Sequence, residues 1–85
     1  MKKFNLNTGV LFTVDVKGIA VVNKVDNTHL FINYPEAAVW SVLVENKPGL
    51  KPVEMLGAIL GKNRIETVEY IEQCLEFWRS LNLIR

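Results

Sequence analysis

From residue 10 to residue 33 the chain reads VLFTVDVKGIAVVNKVDNTHLFIN, rich in β-branched and aromatic residues and broken twice by turn-forming residues, at Val16-Lys17-Gly18 and at Asp26-Asn27. This predicts three antiparallel strands near 10–16, 19–25 and 28–33. In the third, period-2 counting sends Leu30 and Ile32 to one face and His29 and Phe31 to the other. Apolar groups on both sides imply that something covers each face of the sheet.

The period changes at NYPEAAVWSVLVEN. Asn33 and Glu36 have the spacing of a capping box with Pro35 in the first turn, which predicts a helix over 35–45, stopped by Lys47-Pro48-Gly49. A second helix opens at Pro52, with Val53, Leu56, Ile59 and Leu60 at core spacing and Gly61 as its stop. Gly57 inside it points to a close backbone approach, since glycine costs a helix about 1 kcal/mol relative to alanine. The third helix runs from 66 to near Asn82, a residue that tolerates the left-handed backbone just past a helix end.

That last helix has two apolar stripes. Val68, Ile71, Leu75 and Trp78 form one; Tyr70, Cys74, Phe77 and Leu81 form another, rotated by roughly a quarter turn. Either the whole arc is core, as the layering of a small domain favours, or the second stripe is the apolar wall of a groove beside a strand edge. Strands segregated ahead of helices make an α+β domain, a three-stranded antiparallel sheet followed by three helices, winged helix-turn-helix-like. Residues 1–85 read as a single domain, with disorder an open reading for 1–9.

Composition narrows the functions. The chain is 85 residues long, 49% hydrophobic and 22% charged, with net charge +1, which suits a small globular domain. One cysteine, Cys74, and one histidine, His29, give neither an intramolecular disulfide nor metal-ligand spacing, and they stand on different elements without a nucleophile motif. The expectation is therefore no enzyme, no metal and no cofactor. A signal peptide and a membrane span are not indicated, so a cytoplasmic address is expected. Duplex DNA, the ligand a winged helix first invites, is opposed by Glu66, Glu69, Glu72 and Glu76 on the third helix. DNA binding, or a general protein-interaction module, stays as the alternative.

From HLFINYPEAAVWSVL through KPVEMLGAIL to IEQCLEFWRSLNLI, about two-thirds of its length, the chain resembles the PqqD-like family. This family is named for pyrroloquinoline quinone (PQQ) biosynthesis and includes the leader-peptide recognition domains of ribosomally made, modified peptides (RiPP recognition elements). Ile32-Asn33, Ala37-Ala38 and Asn82-Leu83-Ile84 hold the places of the family's strand end, helix and closing turn; Asn82 replaces the usual glycine, and GKNRIET is a shorter connection. The resemblance implies a peptide chaperone that binds the leader of a precursor peptide as an added strand beside the third strand, against the third helix, and delivers it to a modifying enzyme, often a radical SAM enzyme. Its peptide-binding residues here would be His29, Leu30, Phe31, Ile32, Tyr70, Cys74, Phe77 and Leu81. A homodimer through the third-strand edge would compete for the same hydrogen bonds.

Overall fold

The computed structural model describes residues 5–45, 49 and 51–85. Three strands, β1 (Val10–Asp15), β2 (Gly18–Asn23) and β3 (Thr28–Asn33), precede three helices, α1 (Glu36–Glu45), α2 (Pro52–Leu60) and α3 (Arg64–Ser80). The sheet is antiparallel in the order β1-β2-β3, so this is the α+β order read from the sequence, compatible with a winged-helix description.

Register fixes the two faces. Val14, Ile19 and Ile32 lie in one row and Phe12, Val21 and Leu30 in the next, on the side where the helices pack. Ile19, Val21 and Ile32 are buried there; Phe12 and Leu30 are partly buried. The alternate rows Leu11-Val22-His29 and Thr13-Ala20-Phe31 form the opposite face. Leu11 is 55% and Phe31 45% exposed, so the expectation that both faces are covered is corrected: among the described residues the core lies on one side only. Gly18 is required by contact, since a Cβ there would run into the Ile32 carbonyl and the Phe31 ring. At the second turn Asp26 accepts from the Thr28 N–H and hydroxyl, and Asn27 takes the left-handed conformation that asparagine tolerates.

The helices correct three details. Asn33 still belongs to β3, opposite Gly18, and Tyr34 and a cis Pro35 intervene before α1, so Asn33 is not its cap. The capping box stands instead at the start of α3: the Asn63 side chain accepts from the Glu66 N–H at 2.9 Å, and the Glu66 carboxylate accepts from the Asn63 N–H at 3.1 Å. That starts α3 two residues earlier than 66. Ile59, expected in the core, is 58% exposed, and Leu56 is the residue of α2 that is fully buried. The stop expected between α1 and α2 lies outside the described residues except for Gly49.

Other expectations hold. Pro52 sits at the first position of α2 and Gly61 ends it in the left-handed conformation. A Cβ on Gly57 would lie 3.1 Å from the Lys62 carbonyl oxygen and 3.2 Å from Thr67 Oγ1, which is the close approach of α2 to the start of α3. Asn82 is left-handed at φ 60. Its N–H reaches the Arg79 carbonyl at 3.1 Å and the Leu83 N–H reaches that of Trp78 at 3.0 Å, so the end of α3 is a Schellman motif.

The stretch after this turn ties back to the N-terminal segment. Leu6 bridges Ile84, Asn7 N–H donates to the Leu83 carbonyl and Arg85 N–H to that of Asn5. The Asn82 carbonyl accepts from the side-chain amides of Asn7 at 2.7 Å and of buried Asn23 at 2.8 Å. Residues 5–7 are thus tied to the C-terminal residues 82–85.

Candidate functional site

The third helix divides its apolar arc unevenly. Ile71, Leu75 and Trp78 of the first stripe are fully buried, but Val68 is only half-buried. Thr67, polar and absent from either stripe, is fully buried, with its hydroxyl satisfied by the Asn63 carbonyl at 2.7 Å. In the second stripe Cys74 is buried at 5% exposure, Tyr70 and Leu81 are partly buried against the core, and Phe77 remains 49% exposed. The second stripe is neither all core nor all wall.

Tyr70, Cys74 and Phe77 line a surface groove of about 300 Å³ together with Gln73 and with Glu36 from the first turn of α1. Leu81 does not line it. Glu36 and Gln73 were not among the residues singled out from the sequence. Capping-box spacing accounts for Glu36 in the sequence, while Gln73 lies between Tyr70 and Phe77 at helical spacing, a position the helical wheel can flag.

The four strand candidates separate by face. Ile32 is a core side chain and Leu30 is partly buried on the same side, whereas His29 and Phe31 are exposed on the opposite face. What all four share is the strand edge. β3 is an outer strand of the sheet, and apart from its ladder with β2 no backbone–backbone hydrogen bond reaches residues 28–33 among the described residues, although the Thr28 N–H donates to the Asp26 side chain. Its far end leads through Tyr34 and Pro35 into Glu36, the α1 residue of the groove, while none of residues 28–33 lines the groove itself. β1 is the other edge and has its own groove of about 330 Å³, lined by Phe12, Val14, Ser41, Val42 and Val44. That one is lined by three valines, a phenyl ring and one hydroxyl, whereas the α3-side groove adds a phenol, an amide and a carboxylate to its apolar floor.

Burial dominates the chemistry of that floor. It pushes the Cys74 thiol up to about 11, with the Glu36 carboxylate adding to the effect. Burial likewise pushes the Tyr70 phenol up to about 12, helped by Cys74 and Glu36. Lys62 Nζ lies 5.6 Å from the centre of the Tyr70 ring, at cation–π distance. A thiol held neutral is a weak nucleophile, and exposed His29 stands on the far face of the sheet from it. Among the described residues no cluster of three or more His, Cys, Asp or Glu is placed to hold a metal, and no helix is long and apolar enough to cross a membrane.

The raised pKa values give a measurable expectation. Because Cys74 and Tyr70 hold their protons more tightly folded than unfolded, their contribution is fully present below about pH 9 and is lost as pH rises through about 11 and 12. Thiol titration of the native protein near neutral pH is expected to be far slower than that of the unfolded chain, and melting temperature to fall across that alkaline window. A native thiol that reacts as fast as a free one would place Cys74 outside the core.

No protein-family model matches the chain, and no curated protein matches it. Among solved structures the chain is similar to TbiB1, solved in complex with the TbiA(beta) leader peptide. The TM-score is 0.84 at 15% identity, over 95% of this chain and 94% of that one. The likeness establishes a shared fold along nearly the whole of both chains.

Proposed function

We propose that this chain is a non-catalytic peptide-recognition domain that takes the leader segment of a ribosomally made precursor as an added strand along β3 and presents it to a modifying enzyme. The observation that carries the reading is the open β3 edge leading into Glu36 of the Tyr70–Phe77 groove, in a fold shared with a protein solved with a leader peptide. An edge strand offers backbone donors and acceptors that any sequence can use, and alternate side chains of the guest supply selectivity against an apolar wall.

The face assignment narrows the geometry. Side chains of the guest on the Leu30/Ile32 side point toward α3 and the groove, and those on the other side lie beside His29 and Phe31. Delivery to a radical SAM enzyme rests on the PqqD-like resemblance alone. Duplex DNA fits poorly, because α3 turns Glu66, Glu69 and Glu76 to solvent.

The test is amide hydrogen exchange with the leader of a short precursor encoded beside the gene. Protection is expected to rise along residues 28–33 and in α3. If instead it rises along β1 and at Val42 to Val44, the guest uses the opposite edge; protection at neither edge would end the strand-addition reading. A second copy pairing through β3 would give the same protection without peptide and would vary with protein concentration.

A further inference from the structure

The carboxylates around the groove say what kind of strand it takes. Glu36 lines it from α1. On α3, Glu69 and Glu76 are exposed and stand four residues before and three after the groove residue Gln73, which makes them its neighbours on the helix surface. Glu66, also nearby, has its carboxylate engaged with the Asn63 N–H, and Arg64 is paired with Glu54 at 3.1 Å. Among the described residues the ammonium seen against a groove residue is that of Lys62, over the Tyr70 ring at 5.6 Å near the start of α3. Arg79 lies three residues past Glu76, its neighbour on the helix surface, and about 120° around the helix from Gln73. On the opposing wall, residues 28–35 contain no lysine or arginine, and His29 points to the other face of the sheet.

We infer that the groove selects an extended peptide carrying a lysine or arginine two residues from its apolar anchor. The spacing follows from the strand. Side chains two apart lie on the same face and about 7 Å from each other, so an anchor seated on Cys74 and Phe77 places its i±2 neighbour at the carboxylate rim. A side chain one residue away would point past Phe31 instead. Exposed pairs of this kind are individually weak, yet Glu36 in the lining and two exposed carboxylates on the adjoining surface of α3 together favour a cation over an anion, which they repel. Glu36 lies in the same lining as Tyr70 and Cys74, and its charge acts in the direction that holds both of their protons on. The inference rests on strand addition at β3.

Three synthetic peptides of alternating valine and threonine around one leucine anchor test it, by fluorescence anisotropy with the full chain. The first has lysine two residues from the leucine, the second glutamate at that place, and the third the lysine moved to the adjacent position. The first is expected to bind about fivefold or more tighter than the second, and tighter than the third, at low ionic strength. The preference should collapse in about 0.5 M salt and in the Glu36→Gln, Glu69→Gln, Glu76→Gln triple variant. Equal binding of all three, or tighter binding of the glutamate peptide, with β3 still protected from exchange, overturns the charge selection and leaves strand addition standing. No binding by any of them, with β3 unprotected, overturns both.

Discussion

Trp78→Ala is expected to cost about 3–5 kcal/mol of folding stability, a large share of the total in a domain of this size. Trp78 is fully buried and meets Trp40 edge to face at 5.0 Å between ring centres. Trp40 in turn meets Phe12 of β1 edge to face at 5.7 Å. The indole of Trp78 is therefore the α3 end of an aromatic chain that runs through α1 to the sheet, and removing it opens a cavity where all three layers join. Leu83 follows the Schellman turn whose bond ends on the Trp78 carbonyl, and it too is fully buried. A cavity beneath that turn also loosens the tie between the C-terminal residues and Leu6. Urea titration measures the loss; a variant with a midpoint within error of the parent would mean that the aromatic chain does not hold the layers together.

The strands were the most legible part of the fold, and for a local reason. Alternation and turn residues are encoded within a few positions, so the predicted strand near 10–16 ends one residue early and the third spans the same residues. Sequence also gave the left-handed Asn82 and the close approach at Gly57, because each residue type states its own backbone requirement. The capping box was misplaced because Asn33/Glu36 and Asn63/Glu66 have the same spacing. Only the structure shows that Asn33 is still paired in a ladder while Asn63 stands one residue before its helix.

Long-range placement was not legible. Ile59 has core spacing, but no layer reaches that side of α2 among the described residues, so an apolar residue remains outside. The pairing of residues 5–7 with 83–85 is set by side-chain amides of Asn7 and Asn23 meeting one carbonyl, a contact between positions at opposite ends of the chain. The groove was half legible. Its α3 wall follows from the wheel, but Glu36 enters only because the β3–α1 corner brings the first turn of α1 against Tyr70 and Cys74.

Phe77→Ala is expected to leave stability within about 1 kcal/mol of the parent, because the ring is half exposed and its loss leaves no sealed cavity. Under the strand-addition reading the same change weakens peptide binding by about thirtyfold or more, the loss of about 2 kcal/mol that marks an aromatic anchor in a binding site. The contrast with its neighbour is what makes the measurement decisive. Trp78 and Phe77 are adjacent in sequence and similar in apolar size, yet about 100° apart around the helix, so one faces the aromatic core and the other the groove. Phe31→Ala provides the matching control on the strand, since that ring lies on the open face of the sheet and meets only guest side chains that point away from α3. Calorimetric titration of both variants with the same leader peptide should give a much larger loss for Phe77 than for Phe31. Equal losses would mean that the guest is held on both faces of the sheet. A larger loss at Phe31 would move the recognition surface from the groove to the outer face of β3, where Leu11, Ala20 and Val22 would then be its floor.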